Sequence, residues 1–224
     1  MKLFTSLCAL GLAATAVALT STTADSAPTA AVNGVFEVTI TNITRGQIFA
    51  PALLATHNNS ASVFTPGGVA SSDLATLAED GDTSLLLASL ALDANVLDVQ
   101  AGAGMIHPGM SETILITSDV AHPFISVAGM MVSTNDTFYG ADSALLPLRY
   151  DQHMVPAWDA GSEANSEDCA FIPGPPCGMG GVHDAAMAEG FIHISNGIHG
   201  KGGVAADEYD WRNPVARVTV QRIM

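Results

Sequence analysis

Apolar and polar residues alternate in Val35-Phe36-Glu37-Val38-Thr39-Ile40-Thr41. A period of two is typical of a β-strand that buries one face and exposes the other. Similar runs recur further along the chain, at residues 95–100, 112–117, 124–132, 190–195 and 215–223. Turns such as Pro108-Gly109 separate these runs. Many short strands between glycine and proline turns predict an all-β fold, an antiparallel sandwich or barrel.

Residues 71–92 show a helical pattern instead. The stretch from Ser71 to Glu79 begins with residues that cap helices and continues with apolar positions at helical spacing. Asp80-Gly81-Asp82 ends this stretch, and its last residue is placed to cap a second one from Thr83 to Leu92. We therefore predict a short helical insertion on one side of the β-fold.

The N-terminus has the layout of a secretory signal peptide. A positive end at Met1-Lys2 precedes an apolar run from Leu3 to Leu19, and small and polar residues follow. The apolar run is short for a bilayer span, although an uncleaved membrane anchor is the alternative. We predict that residues 1–27 are removed and that residues 28–224 form one exported domain, which is an ordinary size for a β-sandwich.

The charge of the chain limits its partners. It has 22 acidic and 7 basic residues, which give a formal net charge of -15. Nucleic acid is disfavoured as a partner because its phosphates require a basic surface. Divalent cations are the natural counterpart of such a charge, although the solubility of an exported protein explains part of it.

Two cysteines, Cys169 and Cys177, lie after the predicted signal peptide. The stretch between them contains Pro173-Gly174-Pro175-Pro176, which favours neither a helix nor a continuous strand. In an oxidising compartment we expect these cysteines to form one disulfide that closes a small loop. Their spacing fits no zinc finger.

Acidic residues cluster in two stretches, Ser133-Thr134-Asn135-Asp136-Thr137-Phe138-Tyr139-Gly140 and Trp158-Asp159-Ala160-Gly161-Ser162-Glu163. Hardly any basic residue lies near them in the sequence. Oxygen ligands on loops suit Ca²⁺, which takes several oxygens at flexible geometry. Gly161 permits a tight turn, so that Asp159 and Glu163 can converge. The alternative is that these acids are solvated, with Asp159 capping a turn.

Several motifs occur in an order that resembles one known family. They are Thr41-Asn42-Ile43-Thr44, Phe64-Thr65-Pro66-Gly67-Gly68, Leu77-Ala78-Glu79-Asp80-Gly81, Pro123-Phe124-Ile125-Ser126-Val127-Ala128-Gly129-Met130, the two acidic stretches, and Trp211-Arg212-Asn213-Pro214-Val215. These pieces span nearly all of the chain after the predicted signal peptide. Their order resembles the spondin N-terminal domain family, in its bacterial form.

This resemblance implies a β-sandwich similar to calcium-dependent phospholipid-binding domains. It also implies an extracellular binding or adhesion module, as in the animal members of the family, which bind a calcium ion. Carried over position by position, it implicates Asp136, Asp159 and Glu163 as calcium ligands. The chain departs from the pattern of the animal members at Thr137, where they have Trp, and at Ser162-Glu163, where they have Thr-Asp.

The histidines are a second candidate for a metal site. The chain has seven, and His183, His193 and His199 lie close enough in sequence to share a transition metal with Asp184 nearby. No His-x-x-x-His helical motif and no Gly-x-Ser-x-Gly elbow is present. A metal-dependent hydrolase or oxidoreductase that uses these histidines is the alternative to a binding module.

The sequence as a whole predicts an exported, non-enzymatic β-sandwich that binds calcium at one end. We expect it to reside in the periplasm or outside the cell. Its partner would be an extracellular protein, a glycan or another surface ligand. The aromatic residues beside the acidic stretches, Phe138, Tyr139, Trp158 and Trp211, are expected to stabilise the interior.

Overall fold

The computed structural model describes residues 33–224. The predicted signal peptide, residues 1–27, lies outside the described residues. Ten strands form the fold: β1 (Gly34–Asn42), β2 (Leu53–His57), β3 (Val96–Ala101), β4 (Ser111–Ser118), β5 (Phe124–Met130), β6 (Thr137–Leu145), β7 (Tyr150–Val155), β8 (Ala157–Asp159), β9 (His193–Ile194) and β10 (Ala216–Arg222). The helices are α1 (Ser72–Asp80), α2 (Ser84–Ala91) and α3 (Ala206–Tyr209).

The strands form two antiparallel sheets. One has the order β4-β1-β10-β7 and the other the order β3-β2-β5-β6-β8-β9. The side chain of Asp98 on β3 joins the sheets along one side, since its Oδ2 accepts hydrogen bonds from the amide and hydroxyl of Thr117 on β4, at 2.8 and 2.7 Å. This arrangement confirms the predicted all-β, sandwich-like fold.

The main core lies between the two sheets. Alternation in β1 works as predicted, because Phe36, Val38 and Ile40 are buried while Glu37 and Thr39 are half-buried. In the other sheet, Tyr139 faces the same core and stacks on Phe49, with ring centroids 4.2 Å apart. Both sheets therefore contribute side chains to one continuous hydrophobic cluster.

Helices α1 and α2 cover the outer face of the six-stranded sheet. Leu74 and Leu77 of α1 and Leu86 of α2 pack in a second buried cluster with Leu53 of β2 and Phe138 of β6. Ser71 accepts a hydrogen bond from the amide of Leu74 at the start of α1, and Gly81 ends this helix in the left-handed conformation. The predicted helical insertion at residues 71–92 is confirmed.

The sequence patterns do not predict four of the strands, β2, β6, β7 and β8, because these strands lack clear alternation, each for a physical reason. All five residues of β2 are buried because both faces of this strand are covered. β6 is covered in the same way, by Tyr139 on the inner face and Phe138 on the outer face. β7 is an edge strand that buries mainly Val155, and β8 has only three residues. Conversely, the strand predicted at residues 190–195 pairs only over β9.

A long irregular segment runs from β8 to β9 and contains two single 3-10 turns, Cys169–Phe171 and Ala185–Met187. Cys169 and Cys177 form the predicted disulfide within it. The segment also bonds to the sandwich, for example through the amide of Gly174 and the carbonyl of Val132 at 2.8 Å. Among residues 33–224, none of the helices has the length and apolar character that a membrane span requires.

Close packing against Gly129 gives a prediction for the fold. A Cβ atom at this position in β5 would lie 2.5 Å from Cζ of the buried Tyr139 ring. We expect Gly129→Ala to lower the free energy of unfolding by about 1–3 kcal/mol, the usual cost of overpacking a core. A lower denaturation midpoint in urea measures this effect. Gly104→Ala is the matched control, because nothing lies within 4 Å of its added Cβ; equal midpoints for the two variants would contradict the packing.

Candidate functional site

The two acidic stretches meet at one end of the paired strands β6 and β8. Asp136 precedes β6 and Asp159 ends β8, and these antiparallel strands pair with Thr137 opposite Asp159. The amide of Ala160 donates to the carbonyl of Asp136 at 3.1 Å. Strand pairing therefore places both carboxylates on neighbouring segments.

Asp136 is completely buried, and only one of its two carboxylate oxygens accepts hydrogen bonds. Its Oδ2 accepts hydrogen bonds from the amides of Ser162 and Glu163, at 2.8 and 3.0 Å, and from the Ser162 hydroxyl at 3.2 Å. Its Oδ1 has no hydrogen-bond partner. The turn that brings these amides to Asp136 depends on Gly161, which has φ +65°, and a Cβ there would lie 2.7 Å from the amide nitrogen of Phe191.

Asp159 is also buried and is held by neighbouring donors. Its Oδ1 accepts from the amide of Gly161 at 2.9 Å, and its Oδ2 accepts from Nδ2 of Asn165 at 2.8 Å. The same Asn165 nitrogen donates to Oε1 of Glu189 at 3.0 Å. One amide side chain thus orients two carboxylates.

A group of three side chains around Asp159 could hold a metal ion. Asp159, the exposed Glu189 and the half-buried His193 each offer a ligand atom, and these atoms lie within 4.8 Å of one another. Nε2 of His193 lies 3.4 Å from Oδ1 of Asp159. Asp136 and Glu163 are not members of this group.

Glu163, the third predicted ligand, faces a different neighbour. Its backbone amide contacts Asp136, but its buried carboxylate accepts from the amide of Asp184 at 2.8 Å and lies 3.3 Å from Nδ1 of His183. The same His183 nitrogen is 3.1 Å from Glu79 at the end of α1. The second oxygen, Oε2, has no hydrogen-bond partner. Glu163 therefore links the acidic loop to α1 while keeping one oxygen free.

The electrostatics of these carboxylates are unusual. Burial, together with the nearby charge of Asp159, raises the pKa of Asp136 to about 7 against the opposing hydrogen bonds. Burial likewise raises the pKa of Asp159, and burial together with Glu79 raises the pKa of Glu163 to about 7. Within residues 33–224, no lysine or arginine pairs with any of the three.

Sequence reasoning did not identify Asn165, Glu167 or Glu189. Glu167 is buried with φ +56°, and its carboxylate accepts from the amides of His199 and Lys201, at 2.6 and 2.7 Å. Its carboxylate therefore binds backbone amides of the segment after β9 and does not belong to the group of Asp159, Glu189 and His193. Glu189 stands four residues before His193, at the start of a predicted strand. This spacing is the sequence feature that could have identified Glu189 as a candidate site residue.

The histidines do not form one centre. His193 faces Asp159, His199 lies 3.5 Å from Glu167, and His183 lies beside Glu79 and Glu163. No group of metal-ligating atoms among the described residues contains two of these histidines. Phe138, Tyr139 and Trp211 are buried as predicted, while Trp158 is half-buried against Phe64.

The raised pKa values predict an inverted pH dependence in metal-free protein. Asp136 and Glu163 titrate at about 7 in the folded state, against ordinary values of 3.8 and 4.5. The folded chain therefore binds more protons between these limits, so the free energy of unfolding should fall as the pH rises through 7. Each unit of raised pKa corresponds to about 1.4 kcal/mol.

Urea denaturation in EDTA, repeated across this pH range, measures the trend. Asp136→Asn should show a shallower decline because one of the two groups is gone. Stability that climbs with pH in EDTA would contradict the raised pKa values.

Comparison with protein-family models and with curated protein sequences finds no match to this chain. The likeness to the spondin N-terminal domain family thus stays a prediction from the sequence motifs, and the site is interpreted below from its own geometry.

Proposed function

We propose that this protein is an exported binding module whose acidic loops hold Ca²⁺ between Asp136 and Asp159, with Glu163 contributing from the adjoining turn. One observation supports this most strongly. Three buried carboxylates on adjoining segments have no lysine or arginine partner in the described chain, and two of them keep an oxygen without a hydrogen bond. Uncompensated buried charge costs several kcal/mol, and a dication offsets that cost.

The available donors favour calcium over a smaller or softer ion. They are mainly oxygens: the free Asp136 Oδ1, the free Glu163 Oε2 and, in the same stretch as Asp136, the buried Ser133 hydroxyl without a hydrogen-bond partner. Ca²⁺ accepts six to eight oxygens from carboxylates, carbonyls and water at flexible geometry, whereas Mg²⁺ demands a near-ideal octahedron. An irregular loop with mixed oxygen donors therefore suits calcium best.

In this proposal the ion has two effects on recognition. It ties the β6 and β8 loops together, and it lowers the negative potential of a chain whose formal net charge is -15. A protein, glycan or cell-surface partner then docks at this end of the sandwich. The function is adhesion or binding rather than catalysis, in keeping with the motif resemblance.

Export is supported by two features of the chain. The sequence of residues 1–27 has the layout of a signal peptide, and Cys169 and Cys177 are joined in a disulfide. Disulfides persist in oxidising compartments and are rare in the cytosol. We therefore place the mature protein in the periplasm or outside the cell.

Calcium should stabilise the protein through Asp136. An ion at about one hundred times its dissociation constant adds about 2.7 kcal/mol to the free energy of unfolding. We expect a melting temperature several degrees higher in calcium than in EGTA. Asp136→Asn should abolish this shift and leave the metal-free protein as stable as wild type or more so, because a buried charge is removed.

Asp207→Asn is the matched control, since Asp207 is exposed on the short helix α3. It should keep the full calcium shift. If Asp136→Asn also keeps it, the proposed ligand set is wrong.

Export predicts a processed N-terminus. When the whole chain is produced in a Gram-negative host, intact mass of the periplasmic or medium fraction should correspond to loss of residues 1–27, or of a segment ending within a few residues of that position. The two cysteines should resist alkylation without prior reduction. Unprocessed protein confined to the cytoplasm would count against this part of the proposal.

A further inference from the structure

The imidazole of His193 approaches the Asp159 carboxylate oxygen that also accepts from the Gly161 amide. His193 and Asp159 are directly opposite each other in the β8–β9 pair. Nε2 of His193 and Oδ1 of Asp159 are 3.4 Å apart, and Nε2 is buried with no hydrogen-bond partner. Strand pairing therefore fixes this close approach.

The other ring nitrogen defines the tautomer. Nδ1 of His193 lies 3.0 Å from the backbone carbonyl of Ile194. A carbonyl oxygen can only accept, so Nδ1 carries the hydrogen and the neutral ring leaves a lone pair on Nε2. That lone pair meets a carboxylate oxygen, which is also an acceptor. Two acceptors facing each other are stable only with a cation or a proton between them.

Further contacts complete a site around this gap. Asn165 donates to both Asp159 and Glu189, and this holds their carboxylates beside the His193 nitrogen. Hydrogen bonds of this kind, from groups behind the ligands, are typical of metal sites. The fully buried Asp136, whose Oδ1 has no hydrogen-bond partner, adds negative potential beside Asp159.

We propose that Asp159, Glu189 and His193 form a second metal site, for Zn²⁺, next to the all-oxygen cluster. Zinc binds imidazole nitrogen and carboxylate oxygen in small coordination numbers, whereas calcium selects oxygen alone. The two sites share only Asp159, because His193 and Glu189 take no part in the cluster around Asp136. Three protein ligands leave a coordination position for water or for a donor atom from a partner.

Binding of Zn²⁺ and of Co²⁺ as its coloured substitute tests this site. Purified mature protein, stripped with EDTA and dialysed, should bind one equivalent of Co²⁺ with visible d–d absorption, and Zn²⁺ should displace it. His193→Gln and Glu189→Gln should weaken zinc binding at least tenfold. Asn165→Ala, which leaves the three ligands in place, should weaken it by roughly 10–100-fold.

Control variants separate this site from the calcium site. His107→Gln changes an exposed histidine outside the site and should bind zinc like wild type. His193→Gln should keep the calcium-dependent melting shift, whereas Asp136→Asn should lose that shift and still bind zinc. Near-wild-type zinc affinity in His193→Gln would overturn the proposal. So would a wild-type protein that does not bind zinc; a His193 ring found doubly protonated by NMR would then show that a proton fills the gap.

Discussion

The pairing of β6 with β8 buries two carboxylates at neighbouring positions. Because Thr137 lies opposite Asp159, the residue before one strand and the last residue of the other are forced together. Backbone amides from the following turn then bind Asp136. One oxygen of that carboxylate accepts hydrogen bonds, and the other has no partner. The loops therefore bury negative charge without a compensating positive charge.

The rest of the fold holds these buried carboxylates in position. Helices α1 and α2 cover the outer face of the six-stranded sheet, and the main core covers its inner face. β5 and β6 are therefore buried on both sides and hold the base of the acidic loops. Glu167 adds a local constraint, since its carboxylate binds two amides of the segment after β9. The carboxylates are thus positioned by packing and backbone contacts before any ion binds.

Sequence patterns predicted the architecture better than the site. Alternation at Val35–Thr41 and the capped stretch at residues 71–92 depend on local periodicity, which the chain displays directly. Strand β2 lacks that signal because burial on both faces removes it. The closeness of Asp136 and Asp159 could be suspected from composition, but the roles of Asn165 and Glu189 depend on how the long segment folds back. Asn165 and Glu189 are 24 residues apart, and no short pattern encodes the contact between them.

The two ends of the segment between β8 and β9 lie next to each other, because these strands pair. Trp158 lies opposite Ile194 and Asp159 opposite His193, so the base of this excursion is closed by two paired positions. Lengthening a closed loop costs little, about 0.6 kcal/mol for each doubling. The exposed part of the excursion is therefore a region where insertions and deletions are tolerated, unlike the disulfide-bonded loop, where Ile172 is buried in the main core. Changes in length there leave the paired positions at the base, Asp159 and His193 among them, in the same place.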